Sequence, residues 1–218
     1  MRKGRLTHAQ ARALDELWPK FGIEASTGEL NLEQLFGREA TLVVEIGFGN
    51  GNATWQMAGT EPGKNFIGIE VHQPGVGHLL QALESHKLTN VRIARDDAVD
   101  FLQDRIPDHS VSEVRIFFPD PWPKKRHHKR RIIQGSFLDL LALKMEPGGI
   151  LHLATDWQPY AEFMLEVCNQ HPAFENQSTT GNYCKKPDWR PETKYEKRGE
   201  RLGQPSHDLL FRTISKNN

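Results

Sequence analysis

From Thr41 onward, short apolar runs of strand length alternate with longer segments whose apolar residues recur at helical spacing. The runs Thr41–Ile46, Asn65–Glu70, Val91–Arg95, Val114–Phe118 and Ile150–Thr155 are predicted strands. Helices are predicted at about 53–59, 76–86, 98–104, 134–144 and 159–169, with Pro147-Gly148-Gly149 as the turn feeding the fifth strand. Strands in that alternation are joined by crossovers, and crossovers cover a sheet on both faces, so the pattern predicts an α/β fold with a mainly parallel sheet. Residues 1–40 are predicted as a helical extension, because Ala11, Leu14, Leu17 and Trp18 share helical spacing before Pro19 ends the pattern. Near the other end, Phe174–Gln177 and Leu209–Ile214 are predicted to pair as antiparallel strands, which brings the sheet to seven. The polar stretch 178–207 between them interleaves aromatics and cations, and a loop of that length is expected to act as a lid over a ligand. The predicted organisation is therefore an extension, 1–40, followed by one domain, 41–218.

Composition adds little until charge is located along the chain. The 218 residues are enough for one substantial core, and 37% hydrophobic with 26% charged residues is ordinary for a globular protein. Lys plus Arg equal Asp plus Glu at 28 each, so affinity for nucleic acid must come from segregated charge. The start MRKGRLTHAQ lacks the apolar centre of a signal peptide, and no apolar run is long enough to span a membrane, so a cytoplasmic protein is expected. Cys168 and Cys184 form no CxxC spacing and are read as reduced thiols. The His residues carry no ligand spacing, and neither a structural metal nor an obligatory protein partner is expected.

Open α/β sheets bind ligands beyond the carboxyl ends of their strands, and here those ends are repeatedly acidic. The first strand runs through Glu45 into EIGFGNG, and the second ends in Glu70. The third leads to Asp96 and Asp97, the fourth to Asp120 and the fifth to Asp156. Gly47, Gly49 and Gly51 allow tight turns and close approach of a ligand, although a glycine loop alone also suits a plain structural turn. A pyrophosphate would meet carboxylates there. S-adenosylmethionine carries a sulfonium and an ammonium instead, and its ribose diol can donate to Glu70 while Asp97 accepts from the adenine amine.

The fourth strand then enters Phe117-Phe118-Pro119-Asp120-Pro121-Trp122-Pro123, followed by KKRHHKRR from Lys124 to Arg131. Prolines on both sides of Asp120 restrict a carboxylate that must meet a substrate in one geometry. Six Lys or Arg in eight residues make a local positive field beside it, suited to RNA phosphates, with Arg130 assigned to one of them. Two roles stay open for Trp122: stacking on a base, or packing the loop.

The ordered motifs GRLTHAQ, EIGFGNG, IGIEVH, RDDA, FFPDPWPKKRHHKRR, LATDW and TKYEKRGERLG span nearly the whole chain. In them the sequence resembles the bacterial tRNA (guanine-N7-)-methyltransferases. The resemblance implies a Rossmann-like class I S-adenosylmethionine-dependent methyltransferase fold, with tRNA as partner and N7 of a variable-loop guanine as target. It places Glu45, Glu70, Asp97 and Asp120 at the cofactor beside Gly47 and Gly49, with Asp120 also catalytic. It places Lys124, Asp156, Thr193, Lys194, Tyr195 and Glu196 at the substrate. The GRLT motif stands close to Met1, so contacts of a longer basic arm found in some members are not carried over. Three other readings compete: an exocyclic-amine methyltransferase, from Asp120-Pro121-Trp122; an NAD-dependent oxidoreductase, from the glycine loop and Glu70; and a non-catalytic RNA-binding protein, from the basic run.

Overall fold

The computed structural model describes residues 6–192, 196, 203 and 205–214. Seven strands, β1 (Leu42–Ile46), β2 (Asn65–Ile69), β3 (Val91–Ala94), β4 (Val111–Phe117), β5 (Met145–Thr155), β6 (Phe174–Asn176) and β7 (His207–Thr213), form one mostly parallel sheet. Their order is β3-β2-β1-β4-β5-β7-β6. The chain divides into two compact units, one running through Pro107 with Trp189–Pro191 added, the other comprising Asp108–Asp188 and the residues from Glu192 on.

In the first unit, β1 pairs in parallel with β2 from Leu42↔Asn65 to Ile46↔Ile69, and β2 with β3 from Phe66↔Val91 to Ile69↔Ala94. Val43, Val44, Ile67, Val91 and Ile93 are wholly buried, which explains why these strands read as continuous apolar runs. Between the strands lie α4 (Asn52–Thr60), α5 (Gln73–Ser85) and α6 (Ala98–Arg105), preceded by α1 (His8–Glu16), α2 (Trp18–Phe21) and α3 (Leu32–Phe36). Thr7 and Gln10 form a capping box on α1, and Gln10 Nε2 donates to the Pro74 carbonyl at 3.0 Å, joining α1 to the first turn of α5. Pro19 does more than end the first helix. It sits in the first turn of α2, where its missing N–H costs nothing. The irregular segment after α2 is held by buried Arg105, whose guanidinium donates to the carbonyls of Glu24, Ser26 and Gly28.

In the second unit, β4 pairs in parallel with β5, and β7 pairs antiparallel with both β5 and β6. The expected antiparallel couple is present. Pro147-Gly148-Gly149 is not a simple turn: it lies inside β5, whose pairing starts at Val111↔Met145 and resumes at Glu113↔Ile150. Five residues advance on β5 against two on β4, and Gly148 at φ 84° absorbs the excess as a bulge. Helices α7 (Gly135–Lys144) and α8 (Gln158–Gln170) complete the unit, with Leu138, Leu141, Met164, Leu151, Leu153 and Phe211 wholly buried. Inside it, His152 on β5 and Asp208 on β7 pair at 2.7 Å, both essentially inaccessible.

Candidate active site

In the first unit, the carboxyl ends of β1, β2 and β3 carry the expected acids and glycines. Glu45 is buried near the end of β1. The chain then turns through Gly47 and Gly49, at φ 70° and 60°, before α4 begins. The turn is packed from behind. A Cβ on Gly75, in the first turn of α5, would stand 1.8 Å from the Gly49 carbonyl oxygen, so only glycine lets α5 approach the loop this closely. Gly75 was not among the expected site residues: it falls just before the helix expected at 76–86, and the structure starts that helix at Gln73.

Glu70 organises this loop. Its Oε2 accepts from the Gly49 N–H at 2.9 Å, and its Oε1 accepts from the N–H groups of Val71 at 2.8 Å and His72 at 2.9 Å. The Gly49 donor is thus turned onto a carboxylate, whereas a pyrophosphate cradle would aim it at the ligand. Asp97 caps α6, its Oδ1 accepting from Val99 at 2.9 Å and Asp100 at 3.4 Å. Val71 and Val99, each close in sequence to one of these acids, leave apolar side chains exposed. The carboxylates, the diverted donor and the exposed apolar groups suit a ligand with hydroxyl and amine donors, flat faces and positive charge.

In the second unit, Phe118 follows β4 at φ 52°, its N–H donating to the Ala154 carbonyl at 2.7 Å, and Trp122 lies at φ 44°. Between these two residues Asp120 is exposed. The basic run then forms a 3-10 helix, Lys125–Arg130, with Lys124 as its exposed N-cap. The guanidinium of Arg130 lies 5.0 Å from the Trp122 ring centre, and His127 meets the same ring edge-on at 5.8 Å. Packing the loop is therefore an observed role of Trp122. Arg131 departs from its neighbours: it is 4% exposed and turned inward onto α8. Asp156 is half-buried after β5, and Trp157 beside it is 39% exposed. A cavity of about 350 Å³ lies here, lined in part by Pro123, His128, Arg131, Trp157 and Phe163.

Glu196 is buried and accepts from Ser206 Oγ at 3.0 Å, whereas Thr193, Lys194 and Tyr195 lie outside the described residues. Up to Glu192 the expected lid is partly anchored, with the Cys184 N–H on the Asp208 carbonyl at 2.7 Å and Tyr183 against His207 at 4.6 Å. Among the described residues, no cluster of three His, Cys, Asp or Glu is arranged to hold a metal ion, and no helix is long and apolar enough to cross a membrane.

Residues 39–209 match a family model described as "Putative methyltransferase". The tRNA (guanine-N(7)-)-methyltransferase of Alcanivorax borkumensis is 53% identical, over 97% of this chain and 88% of that protein. The protein of the same name from Idiomarina loihiensis is 52% identical, over 97% and 86%. Among solved structures, the 16S rRNA methyltransferase KamB superposes with a TM-score of 0.60 at 16% identity, covering 88% of this chain and 95% of that one. A Streptococcus mutans protein described as "a putative methyltransferase", solved in complex with SAH, gives 0.51 at 11% identity, covering 96% and 100%. At such identities the likeness speaks for the fold alone, that of class I methyltransferases. Near-complete alignment at about half identity speaks for more: the chain belongs to the tRNA (guanine-N(7)-)-methyltransferase family and is an S-adenosylmethionine-dependent methyltransferase.

Proposed function

We propose that this protein methylates N7 of the guanine in the tRNA variable loop, giving 7-methylguanosine. The observation that carries the reading is Asp120 itself. It is exposed, set between two prolines and followed directly by the cationic 3-10 helix. One continuous segment thus offers a carboxylate to a base and positive charge to a phosphate backbone.

The first unit's residues fit the cofactor by the chemistry of their donors and acceptors. Glu70 and Asp97 would take its ribose hydroxyls and adenine amine, while Glu45, Gly47 and Gly49 would bound its charged amino-acid end. When bound, S-adenosylmethionine supplies an electrophilic methyl carbon. Guanine N7 has a lone pair and no proton, so the protein needs no base to create the nucleophile. Asp120 would accept from guanine N1–H and the exocyclic amine, hold N7 in line and favour the positive charge arriving on the purine. Lys124, Arg130 and Asp156 would hold the RNA around it. In A-form RNA the N7 edge lies in a deep, narrow groove, which favours a loop base as the target.

The test is methylation of a tRNA pool with labelled cofactor, then borohydride reduction and aniline treatment, which cut the chain at 7-methylguanosine. The expected result is one cut, in the variable loop. Label confined to an adenine amine or a ribose would overturn the assignment, and saturable NAD binding without S-adenosylmethionine binding would overturn the cofactor.

A further inference from the structure

We propose that Arg131 is a positioning residue that fixes Asp120 through the Pro121 carbonyl, and is not one of the cations that meet RNA. The proposal rests on Asp120 standing at the reacting centre.

In sequence, Arg131 is the last of six cations and looks like the others. In the folded chain Lys124, Lys125, Arg126, Lys129 and Arg130 are exposed, whereas Arg131 is 4% exposed. Its guanidinium carbon lies 4.7 Å from the ring centres of both Tyr160 and Phe163 on α8. Its Nε donates to the Pro121 carbonyl at 2.9 Å, and Nη2 lies 3.2 Å from His128 Nε2. Burying a cation is costly unless its donors and charge find partners; here a carbonyl takes the Nε donor and two aromatic rings face the charge. Arg131 also borders the cavity lined by Pro123, His128 and Trp157, but its Nε and its planar face are already committed to the Pro121 carbonyl and to the two rings.

What this enclosure holds is the segment carrying Asp120. Phe118 and Trp122 are non-glycine residues with left-handed backbone, a conformation that persists only where surrounding structure enforces it. Upstream, the Phe118 N–H is tied to the Ala154 carbonyl. Downstream, the tie is Arg131 on the Pro121 carbonyl. Pro119 and Pro121 already fix their φ angles, so anchoring the segment on both sides of Asp120 leaves its carboxylate little freedom. Lysine cannot replace this group: an ammonium could take the carbonyl but has no planar face to lie against two rings.

The test compares Arg131→Ala and Arg131→Lys with wild type in four measurements. These are kcat at saturating tRNA and cofactor, the salt dependence of tRNA binding, the urea midpoint, and the rate of tryptic cleavage after the basic residues 124–130. Each is repeated with methylguanidinium added. Both substitutions should lower kcat by about 10- to 100-fold, the scale of a misplaced reacting group. The salt slope should stay unchanged. Tryptic cleavage should accelerate, and methylguanidinium should restore both protection and part of kcat to the alanine variant. A salt slope reduced by about 0.7 to 0.9 with kcat intact would make Arg131 a phosphate ligand and overturn the proposal. Loss of kcat only in proportion to a lowered urea midpoint, without rescue, would reduce it to a packing residue and also overturn it. If wild type makes no 7-methylguanosine, the functional reading fails separately, while the tryptic comparison still decides whether Arg131 ties the loop.

Discussion

Gly75 shows how far a single residue's effect reaches. An added methyl group would stand 1.8 Å from the Gly49 oxygen, so Gly75→Ala must push α5 away from the loop or turn the Gly49 peptide. Either movement strains the short loop that also carries the Gly49 N–H bond to Glu70. The expected outcome is at least a tenfold loss of S-adenosylmethionine affinity by calorimetry, on the order of 1.4 kcal/mol, with tRNA affinity nearly unchanged. An unaltered cofactor affinity would show that the loop tolerates the displacement. Glu70 and Asp97 could be read from the sequence because their types and strand-end positions are local information. Their backbone bonds could not, since a carboxylate that caps a helix and one that awaits a ligand are spelled alike. Gly75 was missed for a related reason: its constraint is a contact with a residue in another element.

At the scale of elements, Phe117–Arg131 divides its labour. Asp120 and the exposed cations share one segment, yet substitutions in them should fail differently. Asp120→Ala removes a charge expected to act as the purine becomes positive, and should lower kcat about 100-fold at saturating tRNA while leaving the salt slope intact. Arg130→Ala should weaken tRNA binding and reduce the salt slope by about 0.7 to 0.9 if one phosphate is lost. A basic-run variant that loses kcat at saturating tRNA while Asp120→Ala keeps it would invert this division. The strands were legible because apolar runs persist where both sheet faces are covered. The 3-10 helix was not, because KKRHHKRR has no apolar periodicity. The inward turn of Arg131 was equally hidden, since it depends on Tyr160 and Phe163, some thirty residues further along the chain.

For the molecule as a whole, buried titratable groups predict the shape of stability against pH. Burial pushes the Cys168 thiol up to about 12 from its ordinary 9.0, and the Tyr160 phenol up to about 12 from 10.0. Both stay protonated in the folded protein where the unfolded chain has begun to lose those protons. Their contribution is complete below about 9 and is lost as pH rises towards about 12. Burial moves His207 the other way, below its ordinary 6.5, against the opposing pull of Asp208 and Glu162. The unfolded chain then binds the proton more readily, so the His207 contribution is complete above about 6.5 and falls away as pH drops through the lowered folded value. Urea midpoints measured from pH 5 to 10.5 should therefore give a dome. Cys168→Ala should shift the curve through lost packing and also flatten its alkaline side, because one raised group is gone. His207→Asn should flatten the acid side and leave the alkaline side alone. Curves parallel to wild type at all pH values would show that neither group's proton is linked to folding.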